Sequence, residues 1–155
     1  MRYAAVITKE GRNTLAAFPD CPGCQTFAEP GERIQDQAAD ALGGWLEAHL
    51  ATGDVPPRPS GRRPKGKVLW VEVPARLAVK IYLRWARSDV GLTQAELAKR
   101  AGVTQQQIAK LEHPKANPTI ETLEKVAAAL GARVEVSFTP LEANPGKAQE
   151  NRSGP

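Results

Sequence analysis

Two helix-start signals stand close together in the middle of the chain, and their spacing restricts the local fold more than any other feature. Thr93 is followed three residues later by Glu96, and Thr104 is followed three residues later by Gln107. Both pairs have the form of a capping box, in which a threonine and an acidic or amide side chain satisfy each other's backbone N–H groups. Gly102 permits a left-handed bend between the two starts. Two short helices joined by such a turn are typical of a helix-turn-helix unit.

Further helices are predicted on both sides of this unit. Apolar residues recur at helical spacing from 75 to 85, and a helix that begins at Thr119 ends before Gly131. Polar and apolar residues alternate at 133–138, which predicts a strand. This strand pairs either with its copy across a dimer two-fold axis or with residues 68–73 of its own chain.

The second helix of the unit presents polar side chains on its outer surface. Amide side chains pair with adenine through two hydrogen bonds, and lysine reaches phosphate or guanine. Helix N-termini also offer backbone N–H groups to phosphates. Residues 75–131 carry nine Lys or Arg against five Asp or Glu, a net charge of +4, which favours DNA reading over a polar face that is only solvated. The contacts that this pattern predicts are Thr93, Thr104, Gln105, Gln106, Gln107 and Lys110.

The N-terminal half follows a different pattern. Short apolar runs at 3–8 and 14–18 are predicted to form a hairpin, and 25–28 a third strand after a turn rich in Pro and Gly. Three- and four-residue spacing of apolar positions at 34–49 predicts an amphipathic helix. The run at 68–73 has the composition of a strand and completes a βββαβ order.

Charge is divided unevenly along the chain. Residues 1–60 hold five Lys or Arg against eight Asp or Glu, a net charge of −3, whereas residues 61–155 hold sixteen against nine, a net charge of +7. The basic part is expected to meet a polyanion, and the acidic part a basic protein.

Residues 55–67 contain four Pro, five basic residues and no acid, which predicts a stiff, solvated linker. Residues 140–155 are predicted to form a mobile tail.

Residues 93–112 read TQAELAKRAGVTQQQIAKLE, which strongly resembles the helix-turn-helix of lambdoid phage repressors and Xre-type regulators. The resemblance covers residues 75–130. It implies that Gln94 holds a DNA phosphate and that Gln105 and Gln106 read bases. One small module binds a half-site weakly, so a homodimer or higher oligomer on a palindromic operator is expected.

The N-terminal residues resemble a second family. The strand at 3–8, the turn FPDCPGC at 18–24, the Trp-bearing helix and the Pro-rich exit are similar to the N-terminal domain of HicB antitoxins. That resemblance implies a degenerate RNase H-like fold, and HicB proteins carry either a ribbon-helix-helix or a helix-turn-helix at the C-terminus. The expected fold class is therefore α+β, with a small βββαβ domain followed by an all-α helix-turn-helix domain and a C-terminal strand. The expected divisions are 1–54 for toxin binding with its last strand at 68–73, 55–67 for the linker, 75–139 for DNA binding and dimerisation, and 140–155 for the tail.

Together the two resemblances imply the antitoxin of a type II toxin–antitoxin system. The implied partner is a HicA-like mRNA interferase, a small basic protein with a double-stranded-RNA-binding-like fold and a catalytic histidine. The acidic N-terminal domain would cover the RNA-binding and catalytic face of the toxin, with Phe18, Asp20 and Phe27 as candidate contacts. The helix-turn-helix would bind operator DNA and repress the operon of the pair.

No catalytic residue, metal ligand or cofactor is predicted. The sequence Cys21-Pro-Gly-Cys24 lies in a turn between strands, without the helix context that lowers a thiol pKa and without a second ligand pair for zinc. Asp36, Asp40 and Glu47 follow the polar face of a helix rather than surrounding a two-metal centre. No apolar run approaches the ~20 residues of a membrane helix, and the first residues lack the features of a signal peptide. A cytoplasmic protein without membrane contact is expected.

Two other functions stay open at this point. A stand-alone Xre-type transcriptional regulator would use residues 1–60 to bind a ligand or to dimerise. An enzyme, either a residual nuclease or a thiol oxidoreductase at the two cysteines, is the more distant alternative.

Overall fold

The computed structural model describes residues 1–138, which form a four-stranded sheet with one long helix, followed by four further helices. The predicted α+β class and the βββαβ order of the N-terminal part are confirmed. Residues 139–155, which include the predicted tail, lie outside the described residues. The elements are β1 (Arg2–Glu10), β2 (Asn13–Ala17), β3 (Gln25–Ala28), α1 (Ile34–Thr52), β4 (Lys67–Glu72), α2 (Ala75–Asp89), α3 (Gln94–Ala101), α4 (Gln105–Glu112) and α5 (Ile120–Ala129).

The sheet has the strand order β3-β2-β1-β4, and all its neighbouring strands are antiparallel. β1 and β2 form the predicted hairpin, with Gly11 at a φ of 60° in the connecting turn. Because side chains alternate along a strand, the sheet has two distinct faces. We call the face that carries Tyr3, Ala5 and Ala16 the inner face, since these residues belong to the hydrophobic core, and the opposite one the outer face.

α1 and α2 cover the inner face. α1 buries one stripe at four-residue spacing, from Ala38 to Leu50, and it ends at Gly53, which has a φ of 90°. α2 adds Leu77, Ile81 and Trp85 to the same core. We refer to β1–β4 with α1 as the sheet module and to α2–α5 as the helical module. None of the helices among residues 1–138 is long and apolar enough to span a bilayer.

The two modules share helix α2. While its Leu77, Ile81 and Trp85 belong to the first core, with residues of the sheet and α1, Leu83 belongs to a second core with the apolar residues of α3, α4 and α5. Only Val73 and Pro74 separate β4 from α2. The helical module is therefore attached to the sheet module through a common packed helix.

The segment 55–67 differs from the predicted solvated linker in its first half. Pro56 is fully buried, and its carbonyl oxygen accepts a hydrogen bond from Trp85 Nε1 at 2.6 Å. The carbonyl oxygen of Pro57 accepts one from the Tyr3 hydroxyl, also at 2.6 Å. Arg58 binds the carboxylate of Asp89 and lies over the Trp85 ring. The prediction does not hold at Pro56 and Pro57, whose carbonyl groups are bound by aromatic side chains of both modules, whereas Val55, Arg58 and Ser60 are exposed.

Residues 133–138 form no strand in the single chain. β4 pairs with β1, and its other edge has no strand partner among residues 1–138. The alternative in which 133–138 pairs with 68–73 of the same chain was therefore wrong. Pairing with a second copy stays a prediction.

Candidate functional site

Both predicted capping boxes form, and they fix the starts of α3 and α4. At the first, Thr93 Oγ1 accepts from the Glu96 backbone N–H at 3.2 Å, and the Glu96 carboxylate accepts from the Thr93 backbone N–H at 2.8 Å. These bonds from the Thr93 backbone and hydroxyl hold the pKa of Glu96 below its usual range. The remaining free N–H groups of the first turn point outward from a fixed position, as phosphate binding requires.

The second box uses one of the predicted DNA-contact residues. Gln107 Oε1 accepts from the Thr104 backbone N–H at 2.8 Å, and Thr104 Oγ1 accepts from the Gln107 backbone N–H at 3.2 Å. Gln105, Gln106 and Lys110 are exposed and make no side-chain hydrogen bond within residues 1–138. The structure thus leaves these three side chains available on α4, while the carbonyl end of the Gln107 amide serves the cap.

α3 and α4 meet at the turn that the sequence predicts. Gly102 has a φ of 63°, in the left-handed region, and the Val103 backbone N–H donates to the Ala98 carbonyl. Leu97, Ala98 and Ile108 are buried in the second core, where the small Ala98 side chain permits a close approach. α4 is consequently held by its inner side while its polar side faces solvent.

A buried carboxylate at the end of α4 organises the remainder of the site. Glu112 is fully buried, and its two oxygens accept hydrogen bonds from Arg87 Nε and Nη2. Gln94 Nε2 donates to the same carboxylate at 3.0 Å. An amide nitrogen carries two hydrogens, so Gln94 Nε2 retains one free donor hydrogen while Glu112 fixes its position. Sequence reasoning assigned Gln94 to the phosphate without identifying this anchor.

The charge balance around Glu112 keeps the carboxylate ionised. Burial on its own raises the pKa of Glu112, but hydrogen bonds from Arg87 and Gln94 and the charges of Arg87 and Arg84 bring it below its ordinary value. Arg84 Nε lies 3.3 Å from Glu112 Oε2, at ion-pair distance but without a hydrogen bond of its own among the described residues.

Arg84 also connects α4 to the sheet module. Its Nη1 donates to the carbonyl oxygens of Leu50 at 3.2 Å and Asp54 at 2.8 Å, where α1 ends. Burial lowers the pKa of Arg84, while Glu112 opposes that change. Lys80 makes a similar connection, because its Nζ donates to the Pro114 carbonyl at 2.9 Å just after α4. Two buried cations of α2 thus connect α4 and the residues just after it to the end of α1 and to α2.

Sequence reasoning missed Lys80, Arg84 and Glu112. A signal was present for the two cations, since both stand at helical spacing within the apolar stripe of Leu77 and Ile81. A charged residue in such a stripe is either exposed at the edge or paired inside, and only the fold distinguishes the two.

The three predicted toxin contacts have different environments. Phe18 is only 3% exposed and belongs to the first core, so it offers no surface to a partner. The carboxylate of Asp20 accepts hydrogen bonds from the backbone N–H and hydroxyl of Ser60, at 2.9 and 3.0 Å, and thereby anchors the Pro-rich segment. Phe27 is 54% exposed on β3. Of the three, Phe27 alone presents a free apolar surface.

The two cysteines are packed inside the sheet module. Both are free and buried, and the turn is closed by the Cys24 backbone N–H, which donates to the Cys21 carbonyl. Burial raises the pKa of the Cys21 thiol to about 12 and that of Cys24 to about 11. A redox or nucleophilic thiol needs a lowered pKa, so this environment favours a packing role. Within residues 1–138, no group of three or more His, Cys, Asp or Glu residues is arranged to hold a metal ion.

Known proteins resemble the chain at two levels. The helix-turn-helix family model matches residues 83–136. "Antitoxin HicB 1" of Photorhabdus laumondii is 32% identical over 140 residues, which is 89% of this chain and 87% of the relative. "Antitoxin HicB" of Escherichia coli K12 is 29% identical over 138 residues, covering 88% and 98%. An uncharacterized HTH-type transcriptional regulator of Sinorhizobium fredii is 41% identical over 59 residues, covering 38% and 77%. The antitoxin relatives span both modules, and none of these names denotes an enzyme.

Proposed function

The chain belongs to the HicB antitoxin family, and we propose that it is the antitoxin of a type II toxin–antitoxin pair. In this function the sheet module blocks a HicA-like mRNA interferase, and the helix-turn-helix represses the operon that encodes both proteins. The observation that carries the proposal is the direct fusion of the two modules through α2, in a chain whose antitoxin relative is matched over 87% of its length.

DNA binding is supported by the surface of α3 and α4. Gln105 and Gln106 project from the first turn of α4, where their amides can pair with adenine in the major groove. The starts of α3 and α4 offer N–H groups to phosphates, and Glu112 holds Gln94 beside the first of them. Lys110 adds a positive charge one turn along α4. Base reading therefore rests on the two glutamines, and the other groups set affinity and orientation.

Dimerisation is supported by an apolar groove of about 370 Å³ between α2, α5 and the segment after α5. Tyr82, Leu83 and Leu130 are among its lining residues. Val136 and Phe138 follow directly and are 63% and 96% exposed. A second copy that covers these side chains removes apolar surface from water and supplies the second half-site reader that a palindromic operator needs.

Toxin neutralisation is supported by the antitoxin relatives, which match the sheet module as well as the helix-turn-helix. Residues 1–60 carry a net charge of −3, which is complementary to a small basic ribonuclease, while four basic residues and Glu72 in 61–72 bring residues 1–72 to a net charge of zero. Complementary charge speeds the encounter, while buried apolar contacts set the lifetime of the complex. Covering the RNA-binding face of the toxin excludes mRNA without any chemical step by the antitoxin.

A paired experiment tests both activities. The HicA-like toxin from the neighbouring gene is induced in cells with or without this chain, and the same chain is titrated onto its own promoter fragment. We expect the wild type to restore growth and to bind the promoter, and Gln105→Ala/Gln106→Ala to restore growth but lose promoter binding. A wild-type chain that leaves growth arrested contradicts the antitoxin function.

A stand-alone transcriptional regulator is the second candidate, because the helix-turn-helix region alone is 41% identical to an HTH-type regulator. That regulator matches only 38% of the chain, and thus leaves most of it without a counterpart. Promoter binding by a chain that neither binds nor neutralises the neighbouring gene product would favour this candidate.

A further inference from the structure

The segment that leads into β4 concentrates positive charge. Residues 61–67 hold four Lys or Arg and no acid, a net charge of +4, whereas residues 1–72 as a whole are neutral. The side chains of all four cations are exposed, and none of them forms an ion pair within residues 1–138. These cations are Arg62, Arg63, Lys65 and Lys67. By contrast, the exposed Arg58 just before the segment is paired with Asp89.

Both ends of this segment are attached to the fold. Before it, the backbone N–H and the hydroxyl of Ser60 donate to the Asp20 carboxylate at 2.9 and 3.0 Å. After it, Lys67 begins β4 in register with Ile7 of β1. The segment therefore presents its charges from a defined place, which lowers the conformational entropy that a binding partner would have to remove.

The residues just before the segment follow α2 toward the start of α3. Three contacts join residues 54, 56 and 58 to positions 84, 85 and 89 of α2, and position 89 is the last of the helix. Thr93, the N-cap of α3, follows four residues later. Because one residue spans at most ~3.6 Å, the stretches 89–93 and 58–62 each extend no more than about 14 Å. Arg62 therefore lies at a distance from Thr93 on the order of one helical turn of DNA, roughly 34–36 Å.

We propose that Arg62, Arg63 and Lys65 bind phosphates of the promoter DNA beside the half-site that α4 reads. The proposal rests on the DNA binding proposed above for α3 and α4, and it adds a contact from outside the helical module. Arginine can form two parallel hydrogen bonds with a phosphate, and lysine binds a phosphate as a compact charge. Such contacts carry no sequence information, so they set affinity and orientation rather than base preference.

Charge and position favour DNA over the other partners of the chain. A small basic toxin would meet like charges on this segment, which opposes association. Residues 58–67 and the two acids that anchor them, Asp20 and Asp89, hold five cations against two acids, a net charge of +3. Both acids are already bound within the chain and leave the cations of 61–67 without a counter-charge. Duplex DNA supplies one negative charge per ~1.7 Å of its axis, and α3 and α4 would place it within reach.

The test measures the salt dependence of DNA binding by the full-length chain. Arg62→Gln/Arg63→Gln removes two charges of the segment. Arg33→Gln/Arg76→Gln is the matched control, because it removes two exposed arginine charges elsewhere, whose surface ion pairs contribute little to stability. Fluorescence anisotropy gives the affinity of each chain for the promoter fragment and for an unrelated duplex of the same length, from about 50 to about 200 mM salt.

Each phosphate contact changes the slope of log K against log salt concentration by about 0.9. Loss of two contacts is therefore expected to reduce the slope by about 1.8, so that over this range the wild type loses roughly tenfold more affinity than Arg62→Gln/Arg63→Gln. We expect the same reduction on promoter and unrelated DNA, because phosphate contacts do not read bases. The control and the charge-retaining Arg62→Lys/Arg63→Lys are expected to keep the slope of the wild type.

Thermal unfolding shows whether each variant is folded, and Lys65→Gln, with an expected reduction of about 0.9, decides if the double variant is not. An unchanged slope in folded variants, with a wild type that binds the promoter, overturns this contact but leaves base reading by α4 and the antitoxin function standing. An equal reduction in the control traces the effect to net charge and also overturns the proposal. A wild type that does not bind the promoter overturns both the contact and the function of the helix-turn-helix. Loss of RNA binding, or of mass in light scattering, with an unchanged slope on DNA assigns the segment to RNA or to a second copy and overturns the proposal.

Discussion

Replacement of Glu112 by Gln removes the fully buried negative charge beside Arg84 and Arg87 while it preserves side-chain shape. Arg84 and Arg87, whose side chains are 3% and 15% exposed, both face this carboxylate. In Glu112→Gln the two cations remain buried without a counter-charge, and the new amide hydrogens point toward other donors. Gln94 also loses its charged acceptor. The variant is therefore expected to weaken both the fold and the phosphate contact.

The free energy of unfolding is expected to fall markedly, although Glu112→Gln replaces only one carboxylate oxygen by an NH2 group. Breaking a buried ion pair by removing one partner costs about 3–5 kcal/mol. For a chain of this length each kcal/mol lowers Tm by roughly 2–4 °C, which gives a decrease on the order of 10 °C. Glu124→Gln is the matched control, because Glu124 is exposed on α5 and makes no ion pair within residues 1–138. Surface substitutions of this kind stay within about 0.5 kcal/mol.

Thermal unfolding by circular dichroism and titration of the promoter fragment measure the two effects. We expect a marked decrease in Tm and weaker promoter binding for Glu112→Gln, and neither change for Glu124→Gln. A Tm of Glu112→Gln within 2 °C of the control would refute the reasoning that the cluster at Glu112 stabilises the junction.

Ionisation of the same carboxylate is expected to make the stability of the fold depend on pH. Since the folded-state pKa of Glu112 lies below its ordinary value, its stabilising contribution is fully present above the unfolded pKa of about 4.3. The contribution is lost as the pH falls through the lower folded-state pKa. The stability difference between the wild type and Glu112→Gln is therefore expected to be constant near neutral pH and to shrink below about pH 4.

Three further predictions concern the other parts of the molecule. Gln106→Ala is expected to weaken specific promoter binding by about 1–3 kcal/mol and to leave binding to unrelated DNA unchanged. Fluorescence anisotropy measures both affinities. Equal losses of affinity for the two DNAs would contradict base reading. Val136→Asp is expected to convert a dimer into a monomer in light scattering, whereas Val55→Asp retains the dimer; an unchanged mass excludes the segment after α5 from the interface. Cys21 and Cys24, with pKa values of about 12 and 11, are expected to react with iodoacetamide at pH 8 more slowly in the folded chain than in urea. The expected decrease in rate is roughly a hundredfold for Cys24 and roughly a thousandfold for Cys21, and the rates rise as the pH approaches 11. Comparable rates in the folded chain and in urea would show that the thiols are accessible.

Much of the helical module follows from residues that are near neighbours in sequence. The capping boxes at Thr93 and Thr104 use hydrogen bonds between residues three apart, and the bend at Gly102 depends on a single backbone conformation. Such features depend on residues that are near neighbours in sequence, and so their prediction was accurate. The exposure of Gln105 and Gln106 follows from the same local geometry, because the opposite side of α4 carries Ile108.

The environments of the candidate toxin-contact residues were harder to predict for a physical reason. Phe18 and Phe27 are both aromatic residues near a turn, but they lie on opposite faces of a sheet whose register depends on three strand pairings. Asp20 has the appearance of a free acid until Ser60, which is forty residues away, binds it. A side chain's partner across such a distance is decided by packing and not by its neighbours in the chain.

The spacing of apolar residues, the helix caps and the turn-forming residues thus determine the elements and their order, since each acts within about one helical turn or one strand pairing. Tertiary structure decides how these elements meet. The amino-acid pattern of α2 is that of one amphipathic helix, yet the helix is divided between two cores, with Ile81 in one and Leu83 in the other. Arg84 links Leu50 to Glu112 through contacts about thirty residues apart in both directions. Burial of a charge is favourable only when all its partners are in place, and those partners come together only in the assembled fold.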